Sequence, residues 1–197
     1  MLELLRLQRL NVGPVSLRLE AGTCACVMGA SGAGKSVLLR MIADLDPHAG
    51  DAALDGHAAS AMPAPQWRRQ VSYVAADAGW WAPRVADHFP AGTDFSTLEA
   101  VGVAPAAADW PVSRLSTGER QRLALLRALQ PATRFLLLDE PTSGLDAANV
   151  ERVESLLRAA MARGLGLLMV THDPAQAARL AHRRFALQAG RLEEQAP

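Results

Sequence analysis

Apolar and charged positions alternate along residues 2–7 (LELLRL) and again along 15–19 (VSLRL), the period-two pattern of strands that bury one face. Residues 24–28 (CACVM) predict a short apolar strand, and 29–34 carry too much glycine for anything but a loop. The pattern then turns helical over 35–43. Residues 51–54 predict an edge strand closed by a turn at Asp55-Gly56, and 71–75 (VSYVA) a buried strand. Further on, 117–130 and 147–163 predict helices, 135–138 a wholly apolar strand, 166–170 a strand, 174–181 a helix and 184–188 a closing strand. Strands alternating with helices predict an α/β fold: a mainly parallel sheet with helices on both faces, preceded by an antiparallel β portion.

Residues 76–115 break this rhythm. Pro83, Pro90, Pro105 and Pro111 follow one another closely, with one short helical pattern near 94–101. The stretch predicts a small, loosely built subdomain. With the helix that follows, it takes up residues 76–130 of a single domain spanning 1–197.

The chemistry starts at GASGAGKS. Gly29, Ala30, Ser31, Gly32, Ala33, Gly34, Lys35 and Ser36 fit G-x-x-x-x-G-K-[ST] in full, with a strand before and a helix after. In that setting the successive N–H groups, through Val37, wrap a phosphate chain at a helix N-terminus. Lys35 is the only lysine among 20 Lys and Arg. A compact ammonium enters a tight ring of amides where a planar guanidinium is too wide. Lys35 is therefore expected on the β- and γ-phosphates and Ser36 on Mg²⁺, the fold being of the P-loop NTPase kind.

The strand of FLLLDEP, placed beside the loop strand, ends in two acids. Asp139 is expected to reach the metal through water, and Glu140 to accept a proton from a water attacking the γ-phosphate.

Composition narrows the class. A formal net charge of +0 and a pI near 7 exclude a general nucleic-acid binder, whose footprint is basic. No apolar run nears the roughly 18 residues of a membrane span, and the start lacks a signal peptide's apolar core. A cytoplasmic place, at a membrane's inner face but not in it, is expected. Cys24 and Cys26 share one strand face, poor geometry for a disulfide, and read as buried free thiols.

LSTGERQRLALLRAL at 115–129, LLLDEPTSGLD at 136–146 and VTHD at 170–173, together with the phosphate loop, resemble the ATP-binding-cassette (ABC) transporter ATPases over nearly the whole chain. The resemblance implies that Ser116 and Gly118, in the signature loop, cap ATP held by a second copy in a head-to-tail homodimer. It places Asp146 in the D-loop and makes His172 the switch histidine that stabilises γ-phosphate charge. It also implies a separate transmembrane permease as partner. Alone, Ser116 with Glu119 reads as a capping box, which orients the same N–H groups.

Three departures stand out. Ala76 occupies the place of a glutamine that senses nucleotide and hinges the helical subdomain, and Asp77 one residue later offers a substitute metal-side carboxylate. Residues 1–66 hold no Phe, Trp or Tyr to stack on adenine. The segment between Ala76 and the signature is short. It carries Trp80-Trp81, which read either as interface anchors or as subdomain core. This region resembles small bacterial iron-export-type subunits, which implies export rather than import. A regulatory or adaptor protein with lost turnover is the competing reading, and the long coiled coil of repair ATPases and the second cassette of translation ATPases are both absent.

Overall fold

A computed structural model describes residues 1–195. The strands are β1 (Leu2–Arg9), β2 (Val12–Leu19), β3 (Cys24–Met28), β4 (Ala49–Leu54), β5 (His57–Ala58), β6 (Val71–Val74), β7 (Phe135–Asp139), β8 (Gly166–Val170), β9 (Arg183–Gln188) and β10 (Arg191–Gln195). The helices are α1 (Lys35–Ile42), α2 (Ala64–Gln70), α3 (Thr117–Ala128), α4 (Ala147–Ala162) and α5 (Pro174–Leu180). An antiparallel sheet in the order β2-β1-β4-β5 lies against a larger one in the order β10-β9-β3-β8-β7-β6. In the larger sheet every pairing except β9 with β10 is parallel.

Alternation along the strands sets the layers. Ala25 and Val27 of β3, Leu137 of β7, and Leu168 and Val170 of β8 pack with α1 and the antiparallel sheet. Their neighbours Cys24, Cys26, Leu136, Leu138, Leu167 and Met169 face the opposite way, onto α3, α4 and α5. With both faces covered, β7 and β8 are buried at every position, which is why they read as unbroken apolar runs.

The structure corrects the sequence reading in several places, and β4, expected as an edge strand over 51–54, lies between β1 and β5. β7 does not lie beside β3, since β8 pairs with both and separates them. β2 starts at Val12, hidden by Gly13-Pro14, and β1 runs to Arg9 through irregular pairing with β2. β10 (RLEEQ) was missed because it is charged and almost wholly exposed. Its hairpin turns on Ala189 and Gly190, both at positive φ as a tight two-residue turn requires.

α2 was missed because seven residues with a proline in the first turn carry little periodicity. Its Trp67 is fully buried, and Nε1 donates to the Ile42 carbonyl at 2.9 Å, clamping α2 to the end of α1.

The region 76–115 is short on regular helix yet not loosely built. Prolines and an Asp cap start 3₁₀ turns at Phe95–Val101, Pro105–Asp109 and Val112–Arg114. These pack Val85, Leu98, Val101, Val103, Ala107, Leu115 and Leu123 into a core of their own.

Cys24 and Cys26 are free and buried, as expected. Burial, above all, pushes both thiols up to about 12 from 9.0. In the folded protein they should therefore resist a maleimide or disulfide reagent near pH 8, and react only as fast as the chain opens. Because the unfolded chain ionises these thiols first, stability should fall as pH rises from about 9 towards 12. Labelling rates and urea melts at graded pH check both.

Candidate nucleotide and metal site

β3 ends at Met28 and α1 starts at Lys35, so the glycine loop delivers the first turn of a helix to the C-terminal edge of the sheet. Gly34, the residue before α1, sits at φ 96°, a left-handed conformation in which side chains are strained. A Cβ there would also run into Val12 Cγ2, so the start of β2 braces the loop from behind. The Lys35 ammonium crosses the loop and donates to the carbonyls of Gly29 (2.7 Å) and Ala30 (2.9 Å). The Leu38 N–H bonds back to the Gly34 carbonyl (2.9 Å), which leaves the N–H groups of Lys35, Ser36 and Val37 without an acceptor within the helix.

The loop's mouth opens into a cleft of about 400 Å³. Ser31, Gly32 and Gly34 through Val37 line one side, and Ala76, Asp139 and Glu140 the other. Asp139, at the end of β7, is 7% exposed, and its Oδ2 accepts a hydrogen bond from the Tyr73 hydroxyl at 3.1 Å. Burial, reinforced by the Asp139 charge, holds the Tyr73 phenol well above its ordinary value, so it stays protonated and is the donor.

Glu140 has a left-handed backbone, φ 50°. Such a conformation costs a non-glycine residue about 1–3 kcal/mol and persists only when its surroundings over-determine it. Here its N–H donates to the Val170 carbonyl (3.0 Å), and its own carbonyl accepts from Gln121 Nε2 (2.8 Å) and the Ser143 N–H (3.2 Å). The bend leaves the carboxylate 2.8 Å from Nδ1 of the exposed His172.

The remaining expected residues lie elsewhere in the same chain. Ser116 caps α3: its hydroxyl accepts from the Glu119 N–H and donates to the Glu119 carboxylate, which also accepts the Ser116 N–H. These bonds hold the Glu119 carboxyl below its usual range. Gly118 packs so near Leu145 that a Cβ would stand 3.0 Å from it. Asp146 caps α4 through the Asn149 N–H (2.9 Å), which with the Asn149 side chain holds its carboxyl low.

None of these three lines the phosphate-loop cleft. Nor does Asp77, which is exposed and makes no hydrogen bond among the described residues. Ala76 lines the cleft, and Asp77, in the bend that follows β6, is not among the lining residues.

Sequence reasoning missed Tyr73, Gln121 and Val12. The available signals were polar atoms on otherwise apolar faces: the chain's one tyrosine in β6, and a glutamine on the buried side of α3.

The donors suit Mg²⁺. Ser36 and Asp139 offer hard oxygens across one cleft, and among the described residues no group of three or more His, Cys, Asp or Glu forms a protein cage. Mg²⁺ binds this way, through one or two protein oxygens, waters and the substrate's phosphates.

A glycine loop with a single lysine between strand and helix, facing a strand-end carboxylate across a shared cleft, defines a P-loop nucleotide-binding protein. Residues 12–143 match the family model for the ABC transporter, and the chain belongs to that family. An aliphatic sulfonates import ATP-binding protein, SsuB of Pseudomonas entomophila, is 35% identical over 200 residues, 93% of this chain and 69% of its own length. A Fe(3+) ions import ATP-binding protein, FbpC of Streptomyces coelicolor, is 38% identical over 196 residues, 91% of this chain and 56% of its own. The solved ATP-binding cassette MJ0796, a dimer in a post-hydrolysis state bound to ADP and Pi, matches with TM-score 0.84 at 24% identity, each chain covered in full. That likeness shows the fold.

Gly34→Ala should destabilise the chain by about 1–3 kcal/mol in a urea melt, from positive φ and overlap together. Measured in a Val12→Ala background, the cost of Gly34→Ala should shrink by the part due to overlap and keep the part due to backbone strain.

Proposed function

We propose that the chain is the ATP-binding and hydrolysing subunit of an ABC transporter, driving a separate membrane permease through ATP-dependent closure of a head-to-tail homodimer. The observation that carries this is the convergence of Lys35, Ser36, Asp139 and Glu140 on one cleft, with His172 bonded to Glu140. ATP and Mg²⁺ are its cofactors, and bound Mg²⁺ supplies charge neutralisation at the phosphates.

In this reading the Lys35 ammonium leaves the Gly29 and Ala30 carbonyls for the phosphates, exchanging one set of acceptors for a charged one. The N–H groups from Gly29 to Val37 hold the phosphate oxygens, while Ser36 and Asp139 face the metal's coordination shell. Glu140, aimed by its left-handed backbone, takes the proton of the attacking water, and His172, bonded to that carboxylate, stabilises charge on the γ-phosphate. Ser116, Gly118 and Asp146, exposed or partly exposed and outside the lining of their own chain's cleft, meet the nucleotide of a second copy.

The permease would dock in a groove of about 590 Å³ lined by Arg68, Tyr73, Ala75, Trp81, Arg127 and Ala128, among others. Trp81 is 72% exposed there, with the Arg127 guanidinium 4.6 Å from its ring. Trp80 turns inward and packs on two buried clusters. No helix among the described residues is long and apolar enough to cross a membrane, which suits a subunit at the inner face of a membrane. The expectation of export gains no support from SsuB and FbpC, both named for import, and import is the direction they favour.

Loss of turnover is the competing reading, supported by Ala76 in place of glutamine. It is opposed by the Glu140–His172 pair, held in working geometry. Glu140→Gln should keep ATP binding and lower hydrolysis by about 100-fold or more, with a stable dimer appearing in gel filtration. Equal turnover would remove Glu140 from the base role, and a Lys35→Ala chain that binds MgATP as the parent does would overturn the whole reading. Ala76→Gln should change the hydrolysis rate or its response to a reconstituted permease.

A further inference from the structure

The chain's one tyrosine lies between two cavities. Tyr73 stands on β6 and lines the 590 Å³ groove beside Trp81 and Arg127. Its hydroxyl reaches through to Asp139 Oδ2, 3.1 Å away, in the phosphate-loop cleft. Among the described residues it is the one side chain that lines the groove and hydrogen-bonds a residue of the cleft. The other connection is the backbone step from Ala75, in the groove, to Ala76, in the cleft, and neither offers a polar side chain.

We propose that Tyr73 is a positioning residue which fixes the Asp139 carboxylate for the metal of bound nucleotide and makes that carboxylate respond to whatever fills the groove. The inference rests on the reading of the cleft as an MgATP site. A carboxylate has two oxygens and rotates freely unless one is held. With Oδ2 engaged by a phenol, Oδ1 is left for the metal's water shell, and the donor sets its angle. The phenol is rigid beyond two torsions, so pressure on the ring in the groove moves the hydroxyl by a comparable amount. The sequence places alanine where a glutamine would join the two sites, and Tyr73 supplies a connection through a different atom.

The test uses the full chain. Tyr73→Phe keeps the ring and removes only the donor. Calorimetric affinity for ATP with Mg²⁺ should fall roughly three- to tenfold, the scale of the net contribution of one hydrogen bond, while affinity for ATP in EDTA stays unchanged. The Mn²⁺ resonance of the MnATP complex should broaden as its environment loses order.

Groove filling is imitated by Gly79→Cys carrying a bulky maleimide. Gly79 lines the groove, a Cβ there meets nothing within 4 Å, and the native thiols are buried. The label should change MgATP affinity by twofold or more in the Tyr73 chain and have no effect in the Tyr73→Phe chain. An unchanged ratio of Mg²⁺ to EDTA affinities in Tyr73→Phe overturns the proposal, as does a label effect of equal size in both chains. Loss of both affinities together, with a lowered melting temperature, marks a merely structural tyrosine and overturns it too. A parent chain that binds no ATP overturns the underlying reading instead.

Discussion

Burial of both faces of the larger sheet is the constraint on which everything else rests. β7 and β8 have no solvent face, so their side chains are apolar until the last residue of β7. Polar chemistry is thereby pushed to the one edge where the parallel strands end together. Asp139 is the last residue of β7, Glu140 the first beyond it, and Thr171 and His172 follow β8. The glycine loop leaves β3 at the same edge. The site is a consequence of where five parallel strands stop being allowed to be hydrophobic.

The motif-bearing parts of the chain were legible because their local chemistry is decisive. Gly34 needs a left-handed backbone and no Cβ, Lys35 needs to be narrow, and Ser116 with Glu119 closes its own helix end. Elements held by tertiary contact were not legible. α2 is too short to stand by periodicity and is fixed by one buried indole bonded to Ile42. β10 is exposed and charged, and exists because β9 offers it an edge. Neighbour order in the sheet is likewise absent from a sequence: nothing in FLLLD announces that β8 lies between it and the loop strand. Trp80 and Trp81 were left open between core and interface, and the structure turns one ring inward onto two buried clusters and the other outward.

Within the cleft, geometry is maintained at some cost. The backbone of Glu140 is held in a sparsely populated conformation by three hydrogen bonds, from β8, from the following turn and from Gln121 of α3. α3 opens with Ser116, the residue expected to meet a second copy's nucleotide. One helix thus touches the backbone of the candidate base in its own chain while offering its N-terminus outward, so a shift of α3 displaces both.

The solitary lysine has a consequence outside catalysis. With arginine at the other 19 basic positions, the chain has a single side-chain amine, folded over the mouth of its phosphate loop. Apart from the α-amine of Met1, acylation or carbamylation, which in most proteins spreads over many surface groups, would here have the one side-chain amine where a neutralised charge matters most as its target, and a nucleotide in place would shield it.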